Sequence, residues 1–183
     1  MPLKTLVKVG SITNLTDARY CAGMEVDMLG FRAVPGQENY IHPAQFQEIR
    51  GWINGPRIVA EIYGLINPAE LDAILENYKP DYLEMGVSEL SQFSTLPLPV
   101  LLAVEDPNVV AKIAIRPDYL IGKTVFKSAI PLLVEVHSAD VVPSLLENKD
   151  VSGIALKGGI EQKPGLKDFE VLNDVLELLE IEG

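Results

Sequence analysis

The chain has 183 residues, 48% of them hydrophobic and 22% charged, enough for one globular domain, residues 1–183, with a sizeable core. A net charge of -11 argues against nucleic acid and anionic membrane surfaces as partners, and is expected to serve solubility. Cys21 is the only cysteine, so the chain can form no internal disulfide and no cysteine-rich zinc site.

The first residues run straight into a strand at 6–9, without the long apolar stretch and small-residue cleavage site of a signal peptide. No apolar run matches a membrane span, so a cytoplasmic location is expected. Asn14 caps a helix, with Asp17 three residues on and Gly23 at its stop. Residues 28–31 form the second strand, and Pro43 opens a helix carrying Phe46, Ile49 and Ile53. Strand three covers 57–63. Asn67, Pro68 and Glu70 start the next helix, with Leu71, Ile74 and Leu75 on its apolar face. Strand four covers 81–85, followed by a short helix near 89–93. Strand five covers 99–104, and Asp106-Pro107 starts a helix to about 115. Strands six and seven cover 118–121 and 131–136. Ser138 caps a helix around 141–146, strand eight covers 152–156, and a last helix runs from 169 to about 180.

Strict alternation of strands and helices implies a parallel sheet, and eight units close into a small α/β fold, the (β/α)8 TIM barrel. A doubly wound open sheet is the alternative. Only residues 122–130 separate strands six and seven, too few for a full crossover helix, so the barrel is expected to be trimmed there. In a barrel the ligand sits at the C-terminal strand ends. The positions to watch are therefore Gly10, Ser11, Arg32, Glu61, Tyr63, Glu84, Glu105, Gly122, Glu135, His137, Lys157 and Gly158. At the end of strand eight, Lys157-Gly158-Gly159 reads as a turn whose N–H groups and lysine suit a phosphate, before a Pro-Gly loop leading into the last helix.

The segment Lys8-Val9-Gly10-Ser11-Ile12-Thr13-Asn14, with Asp17-Ala18, resembles the first unit of phosphoribosylanthranilate isomerase, a barrel enzyme of tryptophan biosynthesis. Leu29-Gly30-Phe31, Pro35, Tyr40 and Pro43 follow the family's second unit. Gly159, Glu161, Pro164-Gly165 and Lys167-Asp168 follow its C-terminal signature in spacing. The resemblance implies an Amadori rearrangement of a phosphoribosylated amine, without a cofactor or metal, by a monomer or homodimer. It implies a cysteine base after strand one, an aspartate acid after strand six and an arginine in the loop after strand two. It also implies phosphate binding after strands seven and eight.

The sequence departs from each catalytic position. Gly10 stands where the base belongs, and Ile121 or Gly122 where the acid belongs. The arginine position falls on Asn39, and His137-Ser138 replace a Gly-Gly pair after strand seven. A proton-transfer group must be a side chain within reach of the proton. The expectation is a relative without the isomerase chemistry, holding a phosphorylated small molecule through Lys157, Gly158, Gly159 and Ser138. The alternatives are new acid–base chemistry in the same mouth and an isomerase with relocated groups.

Ser11, Glu61, Glu84, Glu135 and His137 are the pocket candidates. Facing the mouth, the glutamates at 61, 84, 105 and 135 would act as acid or base, or hold a divalent ion. On the rim they would be solvated or paired with Lys123, Lys127 or Lys157, and the rim is the expected place. His137 suits an anion contact, a proton carrier or no role at all. His42 reads as a helix-start residue, Lys8 as a structural partner for a barrel glutamate, and Cys21 as core packing.

Overall fold

The computed structural model describes residues 3–158, 160–163, 166–168 and 170–182, and in it each apolar run becomes a strand of four or five residues. They are β1 (Leu6–Gly10), β2 (Met28–Arg32), β3 (Arg57–Glu61), β4 (Tyr82–Gly86), β5 (Val100–Val104), β6 (Tyr119–Gly122), β7 (Leu132–Glu135) and β8 (Gly153–Lys157). All eight pair in parallel in sequence order, and β8 returns to β1 to close the barrel. Closure uses five residue pairs, from Leu6 opposite Gly153 to Gly10 opposite Lys157.

Side chains along a strand alternate between its two faces. The outward set, including Val7, Val9, Leu29, Phe31, Leu83, Leu102, Leu120 and Ile154, packs under the helices in one large core. The inward set makes a second core of Met28, Val59, Leu101, Ile121, Leu133 and Ala155, flanked by Leu6, Tyr82, Ala103 and Tyr119. That inner core fills the lower barrel. Further along the same inward phase the residues turn charged, and there the site begins.

The helices are α1 (Leu15–Gly23), α2 (Pro43–Arg50), α3 (Leu71–Tyr78), α4 (Val87–Leu90), α5 (Val142–Glu147) and α6 (Glu170–Leu179). Asn14 caps α1 by accepting the N–H of Asp17 at 2.8 Å. His42 is the N-cap of α2, its Nδ1 accepting the N–H of Ala44, which accounts for it structurally. Cys21 is fully buried in the outer core.

The structure departs from the sequence reading at five places. The helix from Pro43 ends at Arg50, short of Ile53, with Gly51 at its C-cap. The helix expected from Asp106 is only a 3-10 segment, Pro107–Lys112. The β-branched residues Val109, Val110, Ile113 and Ile115 and the terminating Pro117 disfavour anything longer. The short helix after β4 begins at Val87, earlier than expected, because Glu89 reaches back to accept the N–H of Gly86 at 3.1 Å. Strand three stops at Glu61, although the Ile62 N–H still donates to the Glu84 carbonyl at 2.8 Å, and Tyr63 lies in the turn beyond it. The stretch after β8 is a hairpin, β9 (Ile160–Lys163) antiparallel to β10 (Leu166–Asp168), where the sequence reads as loop. The trimmed crossover is present as expected: no helix lies between β6 and β7, and Phe126 folds back over Gly122 instead.

Candidate functional site

The C-terminal strand ends surround a cleft of about 650 Å³. At its base, on the side of β1 to β4, stands Lys8. It is the one lysine in an otherwise apolar strand, and its inward phase places its ammonium among two carboxylates. Nζ lies 2.6 Å from Glu61 Oε2 and 2.5 Å from Glu84 Oε1. All three residues are almost completely buried.

Every oxygen of the two carboxylates is met. Glu61 Oε1 accepts the backbone N–H of Ser11 at 2.9 Å and sits 3.3 Å from Arg32 Nε. Ser11 delivers that N–H from a left-handed turn at φ 54, an unusual conformation for a residue with a side chain. Glu84 Oε2 accepts the hydroxyl of Tyr63 at 2.9 Å. The Tyr63 ring in turn supports the guanidinium of Arg32, whose Cζ is 4.7 Å from the ring centre.

The electrostatics follow from burial set against pairing. Burial alone would push Glu61 up, but the Lys8 ammonium, with Arg32 and the Ser11 N–H, holds it below the usual carboxylate range. Glu84 ends above that range, because burial and the charge of Glu61 outweigh the pull of Lys8 and the Tyr63 hydroxyl. Burial opposes the charge on Lys8, yet its two glutamates raise it above an ordinary lysine. Burial, followed by the nearby Glu84 and Glu61, lifts the Tyr63 phenol well above its usual value.

Two glycines make room for this cluster. A Cβ at Gly10 would overlap both Glu61 Oε2 and Lys8 Nζ, and one at Gly30 would overlap Glu61 Oε2. The space above β1 that a side chain at Gly10 would occupy is thus filled from β3 and from Lys8. At β6, Ile121 is buried in the inner core and Gly122 faces Phe126.

No protein-family model matches this sequence, and no curated protein matches it. Solved structures do match its shape. TrpF from Jonesia denitrificans superimposes with a TM-score of 0.74 at 16% identity, over 94% of this chain and 95% of that one. Phosphoribosyl anthranilate isomerase from Thermus thermophilus gives 0.72 at 17%, over 94% and 96%. A phosphoribosyl anthranilate isomerase in complex with reduced 1-(o-carboxyphenylamino)-1-deoxyribulose 5-phosphate gives 0.71 at 16%, over 94% and 97%. The barrel they share runs almost end to end in both partners.

The five pocket candidates, Ser11, Glu61, Glu84, Glu135 and His137, all line the cleft. The rim expectation fails for Glu61 and Glu84, because Lys8 provides a partner inside the barrel that makes burial tolerable. It holds for Glu105, exposed and 3.4 Å from Lys123. Glu135 is half-buried, 3.7 Å from Nε2 of the exposed His137. Among the described residues, no group of three or more His, Cys, Asp and Glu has the arrangement to hold a metal ion.

The residues expected to take a phosphate are more scattered. Lys157 is exposed and lines the cleft. Gly158 corrects the sequence reading: its N–H donates to the Gly10 carbonyl at 2.7 Å, extending the strand ladder, and does not face a ligand. Gly159 lies outside the described residues. The Ser138 hydroxyl accepts the N–H of Asp140 at 3.4 Å and caps a 3-10 turn, Ala139–Val141. A smaller hollow of about 150 Å³ lies between Lys157, Gly158, His137 and the start of α6 at Val171 and Leu172.

Sequence reasoning left Lys8, Arg32 and Tyr63 out of the pocket candidates. For Lys8 the signal was present: a lone charge two residues before Gly10 in an apolar strand shares that glycine's inward phase. Arg32 and Tyr63 stand among the strand-end positions to watch, but nothing in the sequence ties them to the glutamates: Tyr63 lies past the end of its strand, and only the turn of the chain brings it back over the mouth. No helix among the described residues is long and apolar enough to cross a membrane.

Proposed function

We propose that this chain is a divergent relative of phosphoribosylanthranilate isomerase that has lost the isomerisation and holds a phosphorylated small molecule at the C-terminal strand ends. The observation that carries the reading is the one at Gly10. No side chain is available there to move a proton, and a buried ion pair fills the space one would need. Ile121 and Gly122 offer no ionisable group at the end of β6. A phosphorylated ligand is supported by Lys157 beside the hollow at the start of α6, and by a structural neighbour described in complex with such a ligand.

The test is direct. The purified chain is expected to show no isomerase turnover, and its gene no growth of a tryptophan auxotroph lacking the isomerase. Turnover comparable to that of the enzymes it resembles in shape, abolished by one substitution in the cleft, would overturn the reading. Ribose 5-phosphate is expected to bind, and to bind more weakly to Lys157→Ala.

A second reading has its own observation. Glu61 and Glu84 stand inside the mouth with their proton affinities pushed apart, the arrangement that acid–base chemistry requires. A reaction of the cleft abolished by Glu84→Gln with the fold intact would favour it.

A further inference from the structure

The guanidinium of Arg32 is fixed on one edge and open on the other. Its Nε–H donates to Ser11 Oγ at 3.3 Å and lies 3.3 Å from Glu61 Oε1. One face rests on the Tyr63 ring. The hydrogen bond to Ser11 and the close approach to Glu61 are both made through Nε, on the edge of the guanidinium away from its Nη1 and Nη2 ends. The side chain is 22% exposed, and that exposure opens into the 650 Å³ cleft it lines.

The neighbouring cation is arranged differently. Lys8 is 5% exposed and is taken up by two carboxylates, so it presents little to a ligand. Arg32 approaches Glu61 through Nε alone, at one oxygen. A planar fork with its Nε edge already anchored loses little freedom on binding, and it matches an oxyanion two bonds at a time.

We propose that Arg32 is an anion-binding residue of the cleft, presenting Nη1 and Nη2 together to a carboxylate or phosphate group of the ligand. The assignment stands apart from the phosphate reading at Lys157, since it concerns a different strand end and a different side chain.

The experiment titrates the full chain with inorganic phosphate and, separately, with malonate, following the Nε–H resonance of Arg32 by NMR and the affinity by calorimetry. Arg32 Nε–H is expected to shift on saturation with at least one probe, and Arg32→Ala to weaken that probe by about tenfold or more. Arg32→Lys should rescue little, because an ammonium cannot reproduce the fork. The probe that binds more tightly identifies carboxylate or phosphate as the natural source. An unmoved Arg32 signal, or unchanged affinity in a folded Arg32→Ala, overturns the proposal, as does the absence of binding by either probe. If Arg32→Ala does not fold, the resonance of the wild-type chain decides. Phosphate binding lost in Lys157→Ala but kept in Arg32→Ala, with malonate silent, removes Arg32 and leaves the Lys157 reading standing. The reverse pattern retains Arg32 and removes the other.

Discussion

Gly10 on β1 and Glu61 on β3 share one volume: the glycine leaves open the space that the carboxylate fills. Neither residue is therefore free to change alone. Gly10→Cys is expected to destabilise the fold by about 1–3 kcal/mol, the usual range for overfilling a packed interior. Denaturation in urea measures this. Isomerase turnover is not expected to appear in that variant, because the new thiol would meet the Lys8–Glu61 pair before it met a substrate.

Among the described residues, Lys8 is the one basic partner within ion-pair distance of Glu84, and the nearer of two for Glu61. Lys8→Met leaves two buried carboxylates facing each other, and a loss of about 3–5 kcal/mol is expected. Adding Glu61→Gln and Glu84→Gln to Lys8→Met should recover much of it. If the triple variant is no more stable than Lys8→Met, the cost lies in packing and not in uncompensated charge.

The opposite shifts of the two glutamates give stability a shape in pH. Glu61, held below its ordinary 4.5, adds stability that is present above that value and lost as the pH falls through its lower folded one. Glu84, raised above 4.5, acts the other way: stability declines as the pH climbs from about 4.5 through its folded value. Glu84→Gln should flatten that decline while leaving the acid limb in place. Lys8, raised above 10.5, adds stability that is full below 10.5 and lost as the pH rises through its folded value. Urea midpoints across pH, for the wild-type chain and Glu84→Gln, separate these limbs.

Much of the fold was legible in the sequence. Eight apolar runs with helix starts between them require parallel strands, and residues 122–130 are visibly too short for a crossover helix. The hairpin β9–β10 was not legible, because its two strands are too short to show a period. The site was half legible. Strand-end glutamates are easy to find, but which of them turns inward depends on strand phase and on a partner. That partner was a lysine on β1, far from Glu84 in the chain, and closure of the barrel alone brings the two together.

Tyr63→Phe isolates one bond of the cluster. Its hydroxyl donates to Glu84 Oε2 and helps to hold down that group's proton affinity. Removing it should raise the Glu84 value further and cost about 0.5–1.5 kcal/mol, more if the oxygen stays unmet. Carboxyl carbon titration by NMR reads the shift directly.

Cys21 should be chemically silent. Burial, with Asp17 nearby, pushes its thiol up to about 12, so almost none is thiolate at pH 8. A thiol reagent is expected to label it in urea and not in buffer. Rapid labelling of the native chain would mean that α1 lifts from the barrel far more often than its buried packing implies.

Among the described residues, each connection between successive barrel strands carries a helix or a 3-10 segment except the one from β6 to β7, where the ring of Phe126 covers Gly122. A container fails first where it is thinnest. Amides of β6 and β7 should exchange with solvent sooner than those of β1 and β8, and breathing of the barrel should enter the cleft from the side of Ile121, opposite the charged cluster.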